Sequence, residues 1–201
     1  MIIKNKYAQF IGYLFSGMGG MVVQKFTAPD ADAADVVLGA TALTDAAQTI
    51  TTGITQPDFP RGLSIQGNAG GNAGDVVITG QNIRGKVITE TIALNGASEV
   101  QGSKAFALVT SILVPAETHA GTDTVSVGIN DKLGLQSIPA VTACVAAYQD
   151  NTLEGTLPTV TTHATDIESC TADPNTACDA SKDFLLIYPT RERATTKGVT
   201  S

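Results

Sequence analysis

The residues of this chain that could do nucleophilic, redox or metal chemistry are two histidines and three cysteines. His119 and His163 each precede an aspartate by a few positions, as a histidine base and its orienting carboxylate can. A hydrolase of that kind also needs a nucleophile on a tight turn, and the chain contains no Gly-x-Ser-x-Gly. We therefore interpret both histidines as loop residues that cap turns, and we predict no catalytic residue and no enzyme activity.

Cys170 and Cys178 flank a Pro-Asn turn in the segment ESCTADPNTACDAS. A disulfide between them would close a nine-residue loop and stabilise the fold by about 2.5 kcal/mol if it acts by restricting the unfolded chain. Two reduced thiols in a reducing cytoplasm fit the same spacing, so the sequence leaves both states open. Cys144, inside VTACVAAY, is predicted to be a small core residue.

Two further segments have a composition that binding sites use. Asp30, Asp32 and Asp35 lie close together, but they lack the glycine and the distal glutamate of a calcium-binding loop, so they predict a solvated acidic linker. The glycine-rich residues 69–75 lack the Gly-Lys-Ser/Thr of a phosphate loop and precede a strand-like run, which predicts a flexible hairpin loop. We predict no metal and no cofactor.

The elements that must position these residues are short β-strands. Between residues 61 and 136, runs rich in Val, Ile and Thr alternate with glycine turns. This pattern predicts an all-β chain, built as an antiparallel β-sandwich of the immunoglobulin-like or jelly-roll-like kind. One hairpin is predicted between Asp75 and Asn95 with its turn at 81–85, and alternation places five of its residues on one face: Val76, Ile78, Val87, Thr89 and Thr91.

The chain divides into three predicted parts: an N-terminal arm at 1–35, a central β-sandwich domain at 36–138, and a C-terminal β-rich extension at 139–201. The extension contains a convincing strand from Asp183 to Tyr188. Residues 140–148 fit a helix by their alanines and a strand by their Val and Thr, so that segment stays undecided.

Charge and aromatic residues are unevenly distributed. Residues 1–26 carry a net charge of +3, residues 27–181 a net charge of −12 and residues 182–201 a net charge of +2. The acidic middle disfavours nucleic-acid binding. Glycines interrupt the apolar run near the start, so we predict neither a secretory signal nor a membrane span. Half of the aromatic residues lie in the first 26 positions and are the predicted anchors of a partner interface: Tyr7, Phe10, Tyr13, Phe15 and Phe26.

The central segment 68–135 resembles a module of virion structural proteins of tailed bacteriophages. Three motifs carry the likeness: the hairpin VVITGQNIRGKVITETIALNG at 76–96, the GSKAF element at 102–106, and GTDTVSVGINDKLGL at 121–135. The resemblance implies a protein of the virion, assembled in the host cytoplasm. It brings no catalytic or cofactor residue to this chain.

These observations predict a capsid decoration, or cement, protein that bridges neighbouring head subunits. The expected partners are the major capsid protein and further copies of this chain, without readout of nucleic acid and without a membrane. Two alternatives remain open: a tail or neck protein such as a tube or adaptor subunit, and a displayed module that binds host glycans.

Overall fold

The computed structural model describes residues 20–119 and 121–191. Over these residues the chain is all-β, as predicted, with a 3₁₀ helix at Ile167–Ser169 and no α-helix. The strands, in chain order, are β1 (Gly20–Phe26), β2 (Ala33–Ala42), β3 (Gln48–Ile50), β4 (Arg61–Gly67), β5 (Asp75–Gln81), β6 (Val87–Ala93), β7 (Val100–Phe106), β8 (Leu108–Val114), β9 (Thr124–Gly134), β10 (Ala146–Gln149), β11 (Thr152–Leu153), β12 (Thr159–Thr161), β13 (Thr171–Asp173) and β14 (Phe184–Thr190).

Two antiparallel sheets enclose the first hydrophobic core. In one sheet β9 is central, with β4 and then β7 on one side, and with β2, β13 and then β12 on the other. The second sheet has the order β3-β8-β5-β6. The side chains between them are mainly Val, Ile and Leu, among them Leu63, Ile65, Val76, Ile78 and Ile112, each with no exposed surface. This arrangement is consistent with the predicted β-sandwich.

A third sheet, which we call the terminal sheet, has the order β1-β14-β10-β11. Its inner face covers a second hydrophobic core, which contains Phe26, Phe184, Leu186 and Tyr188. Strand β9 serves both cores, because Val125 to Ile129 lie in the first and Leu133 lies in the second. The two cores are therefore joined by one continuous strand.

The predicted hairpin forms, but its turn is Asn82–Lys86 and one of its faces differs from the prediction. Val76 lies opposite Ile92, and Ile78 lies opposite Glu90, so these residues share the buried face. Val87 is 65% exposed, and with Thr89 and Thr91 it lies on the opposite face. Because five residues separate the two strands, positions of equal parity share a face, so the prediction was wrong to group even-numbered positions of β5 with odd-numbered positions of β6.

Two other segments adopt a structure that the sequence did not predict. The undecided run at 140–148 ends in strand β10, which pairs with β14. The glycine-rich residues 69–75 do not form a flexible hairpin loop, because they connect β4 of one sheet to β5 of the other. Asn72 is buried in this connection and donates to the Thr124 carbonyl at 2.9 Å, and the His119 ring lies against Gly71 where a side chain would clash.

Candidate functional site

The two ends of the described chain meet on the terminal sheet. Strands β1 and β14 pair along their whole length, from Gly20 opposite Thr190 to Phe26 opposite Phe184. Residues 1–19 and residues 192–201 are therefore attached side by side, at one end of the same sheet. Sequence inspection alone could not find this, since the paired strands are separated by most of the chain.

The described body and the two terminal segments carry charges of opposite sign. Residues 20–191 hold 18 of the 19 acidic residues and 8 of the 12 basic residues, a net charge of −10. Residues 1–19 carry Lys4 and Lys6 without an acid, and residues 192–201 carry a net charge of +1. Two segments of net positive charge thus start from adjacent points of an acidic body.

The predicted interface anchors separate into two groups. Tyr7, Phe10, Tyr13 and Phe15 lie outside the described residues. Phe26 was wrongly placed among them, because its side chain is 1% exposed and packs within the second core of its own chain. The arm predicted at 1–35 accordingly contributes strand β1 and the start of β2 to the body.

The sequence left open whether Cys170 and Cys178 form a disulfide; in the structure both are buried thiols, as is Cys144. Cys170 accepts a hydrogen bond from the His163 amide, whereas Cys178 lies near the Asp131 carboxylate. Burial, followed by the negative charge of Asp131, raises the pKa of Cys178 to about 12. Burial likewise raises the pKa of Cys144. A buried thiol held in its protonated form is a poor nucleophile and a poor metal ligand.

His119 belongs to a capped loop. Its Nδ1 lies 3.2 Å from Asp123 Oδ1 and 3.2 Å from Thr118 Oγ1, while the Thr118 hydroxyl donates directly to Asp123 Oδ2 at 2.7 Å. A proton relay would need the hydroxyl and the carboxylate on different ring nitrogens. Here both lie at one nitrogen, and Asp123 also accepts the amides of Thr118 and His119. The cluster fixes the loop before β9 and does not activate a nucleophile.

Asp123 is expected to make the free energy of unfolding depend on pH. Burial raises its pKa, but the hydrogen bonds from Thr118 and His119 outweigh burial and lower the pKa from 3.8 to about 2. Because the pKa is lower in the folded chain, the carboxylate stabilises the fold above pH 3.8, and this contribution is lost as pH falls towards about 2. Asp123→Asn should therefore lower the free energy of unfolding at neutral pH.

The measurement is urea unfolding of Asp123→Asn and of the wild type across this pH range. The difference between them should shrink as the pH falls, since the wild-type side chain then becomes neutral as well. Asp45→Asn, at an exposed position, is the matched control and should leave stability at neutral pH unchanged. A difference between Asp123→Asn and the wild type that stays constant with pH would contradict the assignment.

His163 also caps a turn, because its Nδ1 accepts the Asp166 amide at 3.0 Å. Within residues 20–119 and 121–191, no group of three or more His, Cys, Asp or Glu side chains could hold a metal ion. Over the same residues, no helix is long and apolar enough to span a membrane.

Two aspartates of the predicted acidic linker, Asp30 and Asp32, lie near the buried guanidinium of Arg61.

Arg61 is the buried charge that the sequence did not indicate. Its side chain has no exposed surface, yet it donates to the carbonyls of Asn130 and Asp30 and to Asp58 Oδ1, each at 2.9 Å. Its second terminal nitrogen lies 3.5 Å from Asp131 Oδ1. Arg61 thereby ties the segment after β1 to β4 and β9, where the two cores meet. A lone arginine at the start of a predicted strand gave no signal of this role.

Comparison of the chain with protein-family models, with curated proteins and with solved structures finds no match.

Proposed function

We propose that this chain is a structural protein of a tailed-bacteriophage virion, and specifically a decoration or cement protein that stabilises the head by bridging neighbouring subunits. The resemblance of residues 68–135 to virion modules supports the class of protein. The observation that carries the proposal is the pairing of Gly20 with Thr190, which starts both basic terminal segments from one point of an acidic β body.

Two segments that start together can hold neighbouring subunits at one junction. Each contact on its own can be weak, because many copies on a fixed lattice keep every segment at high local concentration near its binding site. The aromatic residues Tyr7, Phe10, Tyr13 and Phe15 are the proposed anchors, since aromatic side chains carry a disproportionate share of interface energy. The body then supplies a rigid platform, and its acidic surface keeps copies from collapsing onto one another.

The first test is to locate the chain in virions of the phage whose genome encodes it. A density map of the whole particle should show the β body on the outer surface of the head, with density leading from the end of the terminal sheet to neighbouring subunits. Density in the tail or neck would support the tail or neck alternative and contradict a decoration protein.

The second test measures binding to capsids that lack this chain. Changing Tyr7, Phe10, Tyr13 and Phe15 together to serine should weaken binding at least tenfold, as expected when several anchors are removed. Val87→Ser is the matched control, because Val87 is 65% exposed but lies on the central body. Unchanged occupancy by the fourfold variant would contradict the anchoring role of these residues.

A further inference from the structure

The outer face of the terminal sheet is apolar across all four strands. The register places Lys25, Leu185, Tyr148 and Leu153 in one cross-strand row. The next row contains Val23, Ile187 and Ala146, and in the last row Met21 is exposed whereas its partner Pro189 is buried. Of these residues only Lys25 is charged, so the rows form one continuous apolar surface, which we call the outer face.

The described residues leave several apolar side chains of this face exposed to solvent. Val23 and Leu153 are each 59% exposed, and Met21 is 39% exposed. On the same strand, polar Gln24 points inward, where it donates to the Gly134 carbonyl and accepts from the Tyr188 hydroxyl. Strand β1 therefore buries a polar side chain and exposes apolar ones. A contiguous apolar patch of this kind marks a contact surface.

The size of the outer face indicates what can cover it. The rows narrow from four strands to two over about 17 Å, so the face covers less than the roughly 300 Å² of a full rectangle of five residues by four strands. That is well below the ~800 Å² that each partner contributes to a stable interface, so two outer faces packed against each other are too small to hold a dimer alone. One chain segment needs less area than a whole partner, and residues 1–19 begin at the edge of this sheet.

The chemistry of the face also matches residues 1–19. A surface cavity of about 300 Å³ opens on the first row and is lined by Lys25, Tyr148, Asn151, Asp183 and Leu185. Tyr148 and Leu185 in its wall can pack against an aromatic ring, and Lys25, paired with Asp183 at 2.6 Å, can lie over the face of that ring. The nearby body is acidic, whereas residues 1–19 carry Lys4 and Lys6 without an acid and supply four aromatic side chains. Their point of attachment, Gly20, lies at the end of this same sheet.

We infer that the outer face is the docking site for residues 1–19 of a neighbouring copy of this chain. Each copy gives one segment and receives one, and the cavity beside Tyr148 receives an aromatic side chain of the incoming segment. The exchange between copies, in place of docking within one copy, rests on the proposed function, in which the terminal segments reach adjacent subunits.

The experiment uses two full-length variants. The segment variant carries serine at positions 7, 10, 13 and 15 and keeps its outer face. The face variant carries Val23→Glu and Leu153→Glu, both at exposed positions, and keeps its segment. Sedimentation velocity measures the association of the wild type, of each variant alone and of their equimolar mixture. The matched control is Val87→Glu, which adds a charge at a position that is 65% exposed on another sheet.

The wild type and Val87→Glu should associate, and each variant alone should show a dissociation constant raised at least tenfold. The mixture should form a one-to-one complex, because the face of the segment variant can still receive the segment of the face variant. A mixture that stays monomeric while the wild type associates overturns the inference, as does equal weakening by Val87→Glu.

A wild type that stays monomeric also overturns the exchange. In that case, faster proteolysis within residues 1–19 of the face variant would show that the segment lies on its own sheet. Circular dichroism of both variants should match the wild type, since all the altered residues of the face are exposed. None of these results depends on where the chain lies in a particle, so the proposed function is tested separately.

Discussion

Arg61→Met should lower the free energy of unfolding by about 3–5 kcal/mol, the cost of removing one partner from a buried ion pair. The guanidinium has no exposed surface, and its loss leaves Asp58 and Asp131 in a mostly buried site without their cation. The carbonyls of Asn130 and Asp30 lose their donors as well. Denaturant unfolding with a constant m-value measures the change.

The control is Lys182→Met, which removes a cation that is 47% exposed and pairs with Asp179 at the surface, and it should change stability by no more than about 1 kcal/mol. Adding Asp58→Asn and Asp131→Asn to Arg61→Met should recover part of the loss, because these changes remove the uncompensated charges. If Arg61→Met costs no more than Lys182→Met, the cluster does not hold the junction of the two cores together.

Phe26→Ala should cost about 3–5 kcal/mol, as large-to-small changes of buried aromatic residues do. The ring is 1% exposed, with its centroid 5.4 Å from that of Phe59 and 6.1 Å from that of Phe184. Removing it leaves a cavity where β1 meets β14. Val23→Ala, on the same strand but 59% exposed, is the control and should cost about 0.5 kcal/mol or less.

This result also separates two roles for the start of the chain. If Phe26 were an anchor for a partner, Phe26→Ala would leave the isolated chain as stable as the wild type and would weaken only its binding. A truncation that tests the terminal segment should therefore stop at residue 19, because removing β1 as well would open the second core.

Local pattern was sufficient for much of the fold. Alternation placed Val76 and Ile78 on one face of a strand, which the structure buries, and the apolar run at 183–188 predicted strand β14. The all-β class followed from the abundance of β-branched residues and glycine turns. The error at Val87 was avoidable, since the predicted turn at 81–85 already had five residues, and an odd number of turn residues places positions of unlike parity on opposite faces.

The candidate site was less accessible to sequence reasoning, because its contacts are distant along the chain. Phe26 lies opposite Phe184 in the sheet, and no local sequence pattern predicts a partner so distant along the chain. Arg61 was passed over because arginine is rarely fully buried. Cys170 and Cys178 flank a turn, but their thiols have different surroundings, with Cys178 placed near Asp131 and Arg61.

The side-by-side ends of the chain determine how the protein responds to tension. Because Gly20 and Thr190 are direct neighbours in an antiparallel pair, pulling residues 19 and 191 apart loads the β1–β14 ladder at its last rung. In this unzipping geometry the hydrogen bonds break one after another, because the force acts on one of them at a time. Two tails fastened to the same subunit place no strain on that rung, whereas tails fastened to separating subunits peel β1 from the body first.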